Sequence, residues 1–100
     1  MKTTYLFSLL ALVCGSVQAL MLGDAEKGRA AHDAKCLGCH TAQFGGDGSD
    51  PYLRKDRRVQ SVEGLIRRVE LCNEQTAAGL DEDQLNDITK YLNDSFYRFE

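Results

Sequence analysis

Two cysteines separated by two residues, with a histidine directly after the second, constrain this chain more than any other feature: Cys36-Leu37-Gly38-Cys39-His40. Three chemistries use such a spacing. A redox dithiol sits in a βαβ pattern, and no strand-like alternation flanks residues 36–40. A structural zinc site takes four ligands, usually from a second cysteine or histidine pair. Beyond residue 19 the chain offers only Cys72 and His32 as extras, and they are not paired. The third chemistry is covalent haem attachment. Two thiols three residues apart can add to the two vinyl groups on one edge of a protohaem, and the adjacent histidine brings its imidazole to the iron. Cys36 and Cys39 are therefore expected to anchor one haem c, with His40 as the first axial ligand.

The first twenty residues read as a route for export. Met1-Lys2 gives a positive start, and Tyr5 to Cys14 is an almost uncharged apolar run. Val17-Gln18-Ala19 then suits a small-residue cleavage site. This is the three-part plan of a secretory signal peptide over 1–19, with one domain over 20–100. The apolar run falls short of the roughly 20 residues needed to span a bilayer, so no membrane span is expected after cleavage. Cys14 does not suit a lipoprotein site, because Val13 stands where a small residue is needed. Losing Lys2 takes the net charge from -3 to -4, which gives no reason to expect nucleic acid as a partner. Of four cysteines, Cys36, Cys39 and Cys72 remain. Three is an odd number, so a pure disulfide framework would leave one thiol over.

The remaining chain reads as all-α, with three main helices and long loops. Helix-favouring residues run from Asp24, a cap, to Lys35. Thr41 to Arg58 holds Gly45, Gly46, Gly48 and Pro51 and reads as loop. Ser61 is a plausible N-cap for a helix to Leu71, with Val62, Leu65, Ile66 and Val69 on the helical period. One more residue would put Cys72 on the same stripe. Asn73 to Leu80 reads as linker. Asp81 with Gln84 three residues on suits a capping box, and Leu85, Ile88 and Leu92 follow as an apolar stripe. The aromatic tail Phe96-Tyr97-Arg98-Phe99 is expected to pack back onto the body. A core this small, without tryptophan, is the kind that a bound cofactor staples.

Gly28, Lys35 and the pentapeptide Cys36-Leu37-Gly38-Cys39-His40 resemble the N-terminal helix and haem site of class I cytochromes c. Leu80-Asp81-Glu82-Asp83-Gln84, followed by Ile88-Thr89-Lys90-Tyr91-Leu92, resembles their C-terminal helix. The resemblance covers both ends of the domain and not its middle. It implies a cytochrome c-like fold around one covalently bound haem, with the terminal helices crossing, Gly28 letting them touch and Tyr91 a partner across the crossing. It also implies electron transfer rather than catalysis on a substrate.

The family usually supplies a methionine as second axial ligand between the loop and the last helix, and this sequence has none there. Cys72 lies in the right stretch, and a thiolate would lower the reduction potential by stabilising ferric iron; its structural alternative is a buried small hydrophobe. Asn73 is the next candidate, since Cys72-Asn73 resembles a small group of oxygen-binding haem proteins with an asparagine ligand; its structural alternative is a helix C-cap. His32 is expected to pack against the last helix, because its own helix cannot easily reach the far haem face. Lys55, Lys90, Met21 or a vacant position complete the alternatives. Arg54, Lys55, Arg57, Arg58, Arg67 and Arg68 form a basic stretch that either steers redox partner proteins or contacts the propionates, or is simply solvated. Asp81, Glu82, Asp83 and Asp87 suit a helix N-terminus. The expected function is a periplasmic monohaem electron carrier and not an enzyme in its own right. A haem-based binder or sensor of oxygen or nitric oxide, or a haem subunit of a larger oxidoreductase, is the alternative.

Overall fold

The structure, a computed structural model, describes residues 22–100. The signal-peptide reading of 1–19, Cys14 and Met21 lie outside the described residues. Among those residues the fold is all-α, without strands. Helix α1 spans Ala25–Lys35, α2 Leu37–Phe44, α3 Asp50–Leu53, α4 Val62–Thr76 and α5 Glu82–Leu92, followed by a π-helical turn over Asn93–Tyr97. No helix among them is long and apolar enough to cross a membrane.

Each main helix begins at a side-chain cap, which satisfies backbone donors that have no partner inside the helix. The Asp24 carboxylate accepts from the N–H groups of Glu26 and Lys27. The Ser61 hydroxyl accepts from Gly64 N–H at 3.0 Å. Asp81 and Gln84 form the reciprocal capping box, at 2.8 and 3.0 Å. The acids of this stretch have structural work: Glu82 and Asp83 sit in the first turn of α5, where the helix dipole favours them. Asp87 accepts from Asp24 N–H at 2.8 Å.

The stretch read as loop is more ordered than its composition indicates. Helix α2 carries the pentapeptide on to Phe44 and stops at Gly45, whose φ is +75°. One further turn, α3, carries Pro51 as its second residue, where the N–H has no partner inside the helix and its absence costs nothing. Helix α4 runs past Leu71 and Asn73 to Thr76 and ends on Ala77 in the left-handed region, φ +53°. The Asn73 side chain then brackets Leu80, donating to its C=O at 3.3 Å and accepting from its N–H at 3.0 Å. Asn93 repeats the device on Phe99, at 3.1 and 2.8 Å.

Helices α1 and α5 make the most extensive packing in the fold. They meet at Gly28, where a Cβ would run into the backbone carbonyl of Asp87 and lie 3.0 Å from Ile88 N. Leu65 and Ile88, each 1% exposed, centre a core completed by Val59, Val69 and Leu92. Fully burying such a side chain is worth about 1.5–3 kcal/mol. The tail does fold back. Phe96 packs on Tyr52 and Tyr91, and Tyr97 is buried against Tyr52.

Candidate functional site

The α1–α2 junction holds the pentapeptide. Cys36 links the two helices and is half-buried, Cys39 is exposed one turn into α2, and His40 is half-buried beside it. All three line one cleft of about 620 Å3, within the range of about 300–1,000 Å3 typical of cofactor pockets. Its apolar wall comes from α4 and α5 through Leu65, Val69, Ile88 and Leu92, and Cys72 and Asn73 face the same space. The five residues singled out in the sequence thus converge on one cavity, although 31 residues of chain lie between His40 and Cys72.

His40 is held by its neighbours. Its Nδ1 lies 3.2 Å from the carbonyl oxygen of Gly48. A carbonyl can only accept, so Nδ1 carries the hydrogen and Nε2 keeps its lone pair. That is the tautomer a metal-binding histidine needs, with the second nitrogen held by a backbone carbonyl. Gly48 can approach because it lacks a side chain. Its φ is +80°, and a Cβ there would lie 3.0 Å from His40 Cβ. The Tyr52 ring flanks the imidazole at 5.0 Å between centroids, and Phe44 does so at 5.4 Å.

His32 is 3% exposed and packs on Tyr91 across the helix crossing at 5.4 Å between rings, as expected. It also makes polar contacts the sequence did not announce. Nδ1 is 3.1 Å from the Asp33 carboxylate, and Nε2 is 2.9 Å from the Tyr52 hydroxyl. Burial pushes the His32 pKa below its ordinary value; Asp33 opposes this and His40 adds to it. Burial raises the Tyr52 phenol as well, with Cys36 the next contributor. Both groups are therefore neutral at pH 7.

Burial also pushes the Cys36 thiol up, helped by Cys72 and Cys39 nearby. Nucleophilic dithiols need the opposite shift. Among the described residues, no group of three or more His, Cys, Asp or Glu side chains has the geometry to hold a metal ion by itself. Haem asks less of the chain, since the porphyrin supplies four of the iron's ligands and the protein only the axial ones. The cavity and the His40 tautomer fit such a group.

Of the basic stretch from Arg54 to Arg68, Arg54, Arg57, Arg58 and Arg68 line the cleft, whereas Lys55 and Arg67 do not. Arg57 is fixed, donating to Tyr52 C=O at 2.8 Å and lying over the Tyr97 and Phe99 rings at 4.7 and 5.3 Å. Lys90, one of the alternative ligands, pairs with Asp94 at 3.1 Å and does not line the cleft.

Gly48 and Tyr52 are the residues that sequence reasoning passed over. Each lay in the stretch read as loop. A glycine-rich turn directly after a haem-type pentapeptide was the available signal for Gly48; Tyr52 carried none.

No family model matches the chain, and no curated protein and no solved structure is significantly similar to it.

Proposed function

We propose that the chain is an exported monohaem c-type cytochrome that carries one electron between redox partner proteins in the periplasm. The observation that carries this reading is the convergence of Cys36, Cys39 and His40 on one apolar-walled cleft, with His40 held in the ligand tautomer by Gly48. Cys36 and Cys39 would hold the haem through thioethers, and His40 would ligate its iron. When bound, the group supplies a one-electron couple. The chain's part is to exclude water with Leu65, Val69, Ile88 and Leu92, and to offer guanidinium groups to propionates from the arginine-lined side. The contact of α1 and α5 at Gly28 supports the resemblance to class I cytochromes c. The raised Cys36 thiol speaks against a redox dithiol.

A second reading, a haem-based binder of oxygen or nitric oxide, is favoured by one observation. Among the described residues no methionine lines the cleft, whereas Cys72 and Asn73, the candidates for the second axial position, both do. The Asn73 amide already uses both its oxygen and its nitrogen on Leu80. This supports Cys72 over Asn73, and a vacant position over either where the thiol stays protonated.

The test is export of the full chain in a host that attaches haem. A coloured product with one covalent haem is expected; a colourless product with the bare polypeptide mass would refute both readings. Visible spectra in both oxidation states, with and without carbon monoxide, then separate them. A carrier stays six-coordinate and ignores carbon monoxide, and a binder takes it up. Cys72→Ser should change the spectrum if the thiol ligates, and an unchanged spectrum ends that assignment.

A further inference from the structure

We infer that Cys36 and Cys72 join in a disulfide before haem is attached, closing the cleft and withholding one of the two thiols that haem needs. This rests on the export and haem readings of the chain and gives them a redox control.

Among the described residues three thiols face one space. Cys36, Cys39 and Cys72 all line the cleft, and all three are free. Attachment of haem uses two of them. The third, Cys72, follows Val69 by three residues and Leu65 by seven, on the face that α4 turns to the cleft. Cys36 and Cys72 are half-buried, whereas Cys39 is exposed. The first two are thus turned toward the interior they share, and a charge on Cys72 is felt at Cys36 more than one on Cys39 is.

Before haem arrives, Leu65, Val69, Ile88 and Leu92 wall a cleft of about 620 Å3, and drawing α4 onto the α1–α2 junction takes that apolar surface from water. The same closure brings Cys72 onto Cys36, since a disulfide needs Cα atoms about 4.4–6.8 Å apart. An oxidising compartment favours the bond. It forms by exchange with a disulfide oxidant of that compartment. The Cys72 thiolate attacks the oxidant's S–S bond and expels one of its sulfurs. The Cys36 thiolate then attacks the Cys72 sulfur and expels the other. Each expelled sulfur takes up the proton that a cysteine gave up, so one external disulfide leaves as two thiols. Burial raises the Cys36 thiol and makes it a poor leaving group, so the link is kept rather than turned over. A dithiol reductant reverses it by the same exchange and reopens the cleft to haem.

The test uses the full chain exported in a host without haem attachment, trapped with a thiol-alkylating reagent and digested with trypsin unreduced. Peptide Cys36–Arg54 should be joined to Val69–Lys90 through Cys36 and Cys72, lighter than the two free peptides by two hydrogens, with Cys39 alkylated. Cys39→Ser should keep the link. A chain without this fold would close the short Cys36–Cys39 loop instead. That product, a Cys39–Cys72 link, three alkylated thiols or a link lost in Cys39→Ser overturns the inference. In a host that attaches haem, Cys72→Ser should raise the haem carried per chain, and a reductant added during export should raise wild type to the same level; a yield that responds to neither overturns the control. Wild type and Cys72→Ser both colourless under reductant would sink the haem reading itself, whereas coloured protein from a chain that shows no Cys36–Cys72 link sinks this inference alone.

Discussion

Gly28→Ala tests the packing on which the site is built. The added methyl would enter the Asp87 carbonyl and press on Ile88 N. Both are backbone atoms of α5, so no side chain can rotate away, and α1 and α5 must separate. Overpacking costs about 1–3 kcal/mol, and more where the surroundings cannot yield. Alanine's higher helix propensity returns about 1 kcal/mol. Because the clash is with backbone, the upper end of that range applies, and the net loss should be about 2 kcal/mol, which in a domain of this size lowers the melting temperature by about 8–16 °C. Gly38→Ala is the internal control. That glycine lies in α2, where a new methyl would meet nothing within 4 Å, so the same change should stabilise by about 0.4–1 kcal/mol. Thermal unfolding of both variants, followed by far-ultraviolet circular dichroism, reads the two signs. If Gly28→Ala is as stable as wild type or more so, the helices do not touch there and the reasoning fails.

Three further outcomes are expected. Leu65→Ala, at a core position 1% exposed, should cost about 2–5 kcal/mol in denaturant unfolding; a loss below about 1 kcal/mol would mean the cleft wall is not packed. Gly48→Ala faces a left-handed backbone and a Cβ 3.0 Å from His40 Cβ, so it should lower stability by at least about 1 kcal/mol and alter the visible spectrum; a spectrum like wild type would show that Gly48 does not hold the ligand. The depressed His32 pKa sets a pH dependence. Above about pH 6.5 the folded and unfolded chains both hold a neutral imidazole. Below it the unfolded chain gains the proton before the folded one, so stability should fall as the pH drops through and below about 6.5, and fall less in His32→Gln. Equal slopes for the two proteins would contradict this.

What the sequence revealed follows from where local chemistry decides structure. Asp24, Ser61 and the Asp81–Gln84 pair announce helix starts because capping needs particular side chains at fixed spacing, and all three stand where they were expected. The end of α4 was not visible. Its left-handed residue is Ala77 rather than glycine, and Asn73, which looked like a stop, instead works inside the helix as a bracket for Leu80. Helix α2 was hidden because Thr41-Ala42-Gln43-Phe44 is too short to show a period and runs into glycines. At the site, the pentapeptide was legible because its chemistry is local. The meeting of His32, Tyr52 and His40 was not, since it depends on how α3 returns over α1.

The paired asparagine brackets have a consequence for the ageing of this protein. Asn73 and Asn93 each give one donor and one acceptor to a single residue further along the chain, Leu80 and Phe99. Spontaneous deamidation would replace the donating nitrogen with oxygen and set a carboxylate against a carbonyl. The segments on both sides of α5 would loosen through one added mass unit, with every apolar contact of the core still chemically intact.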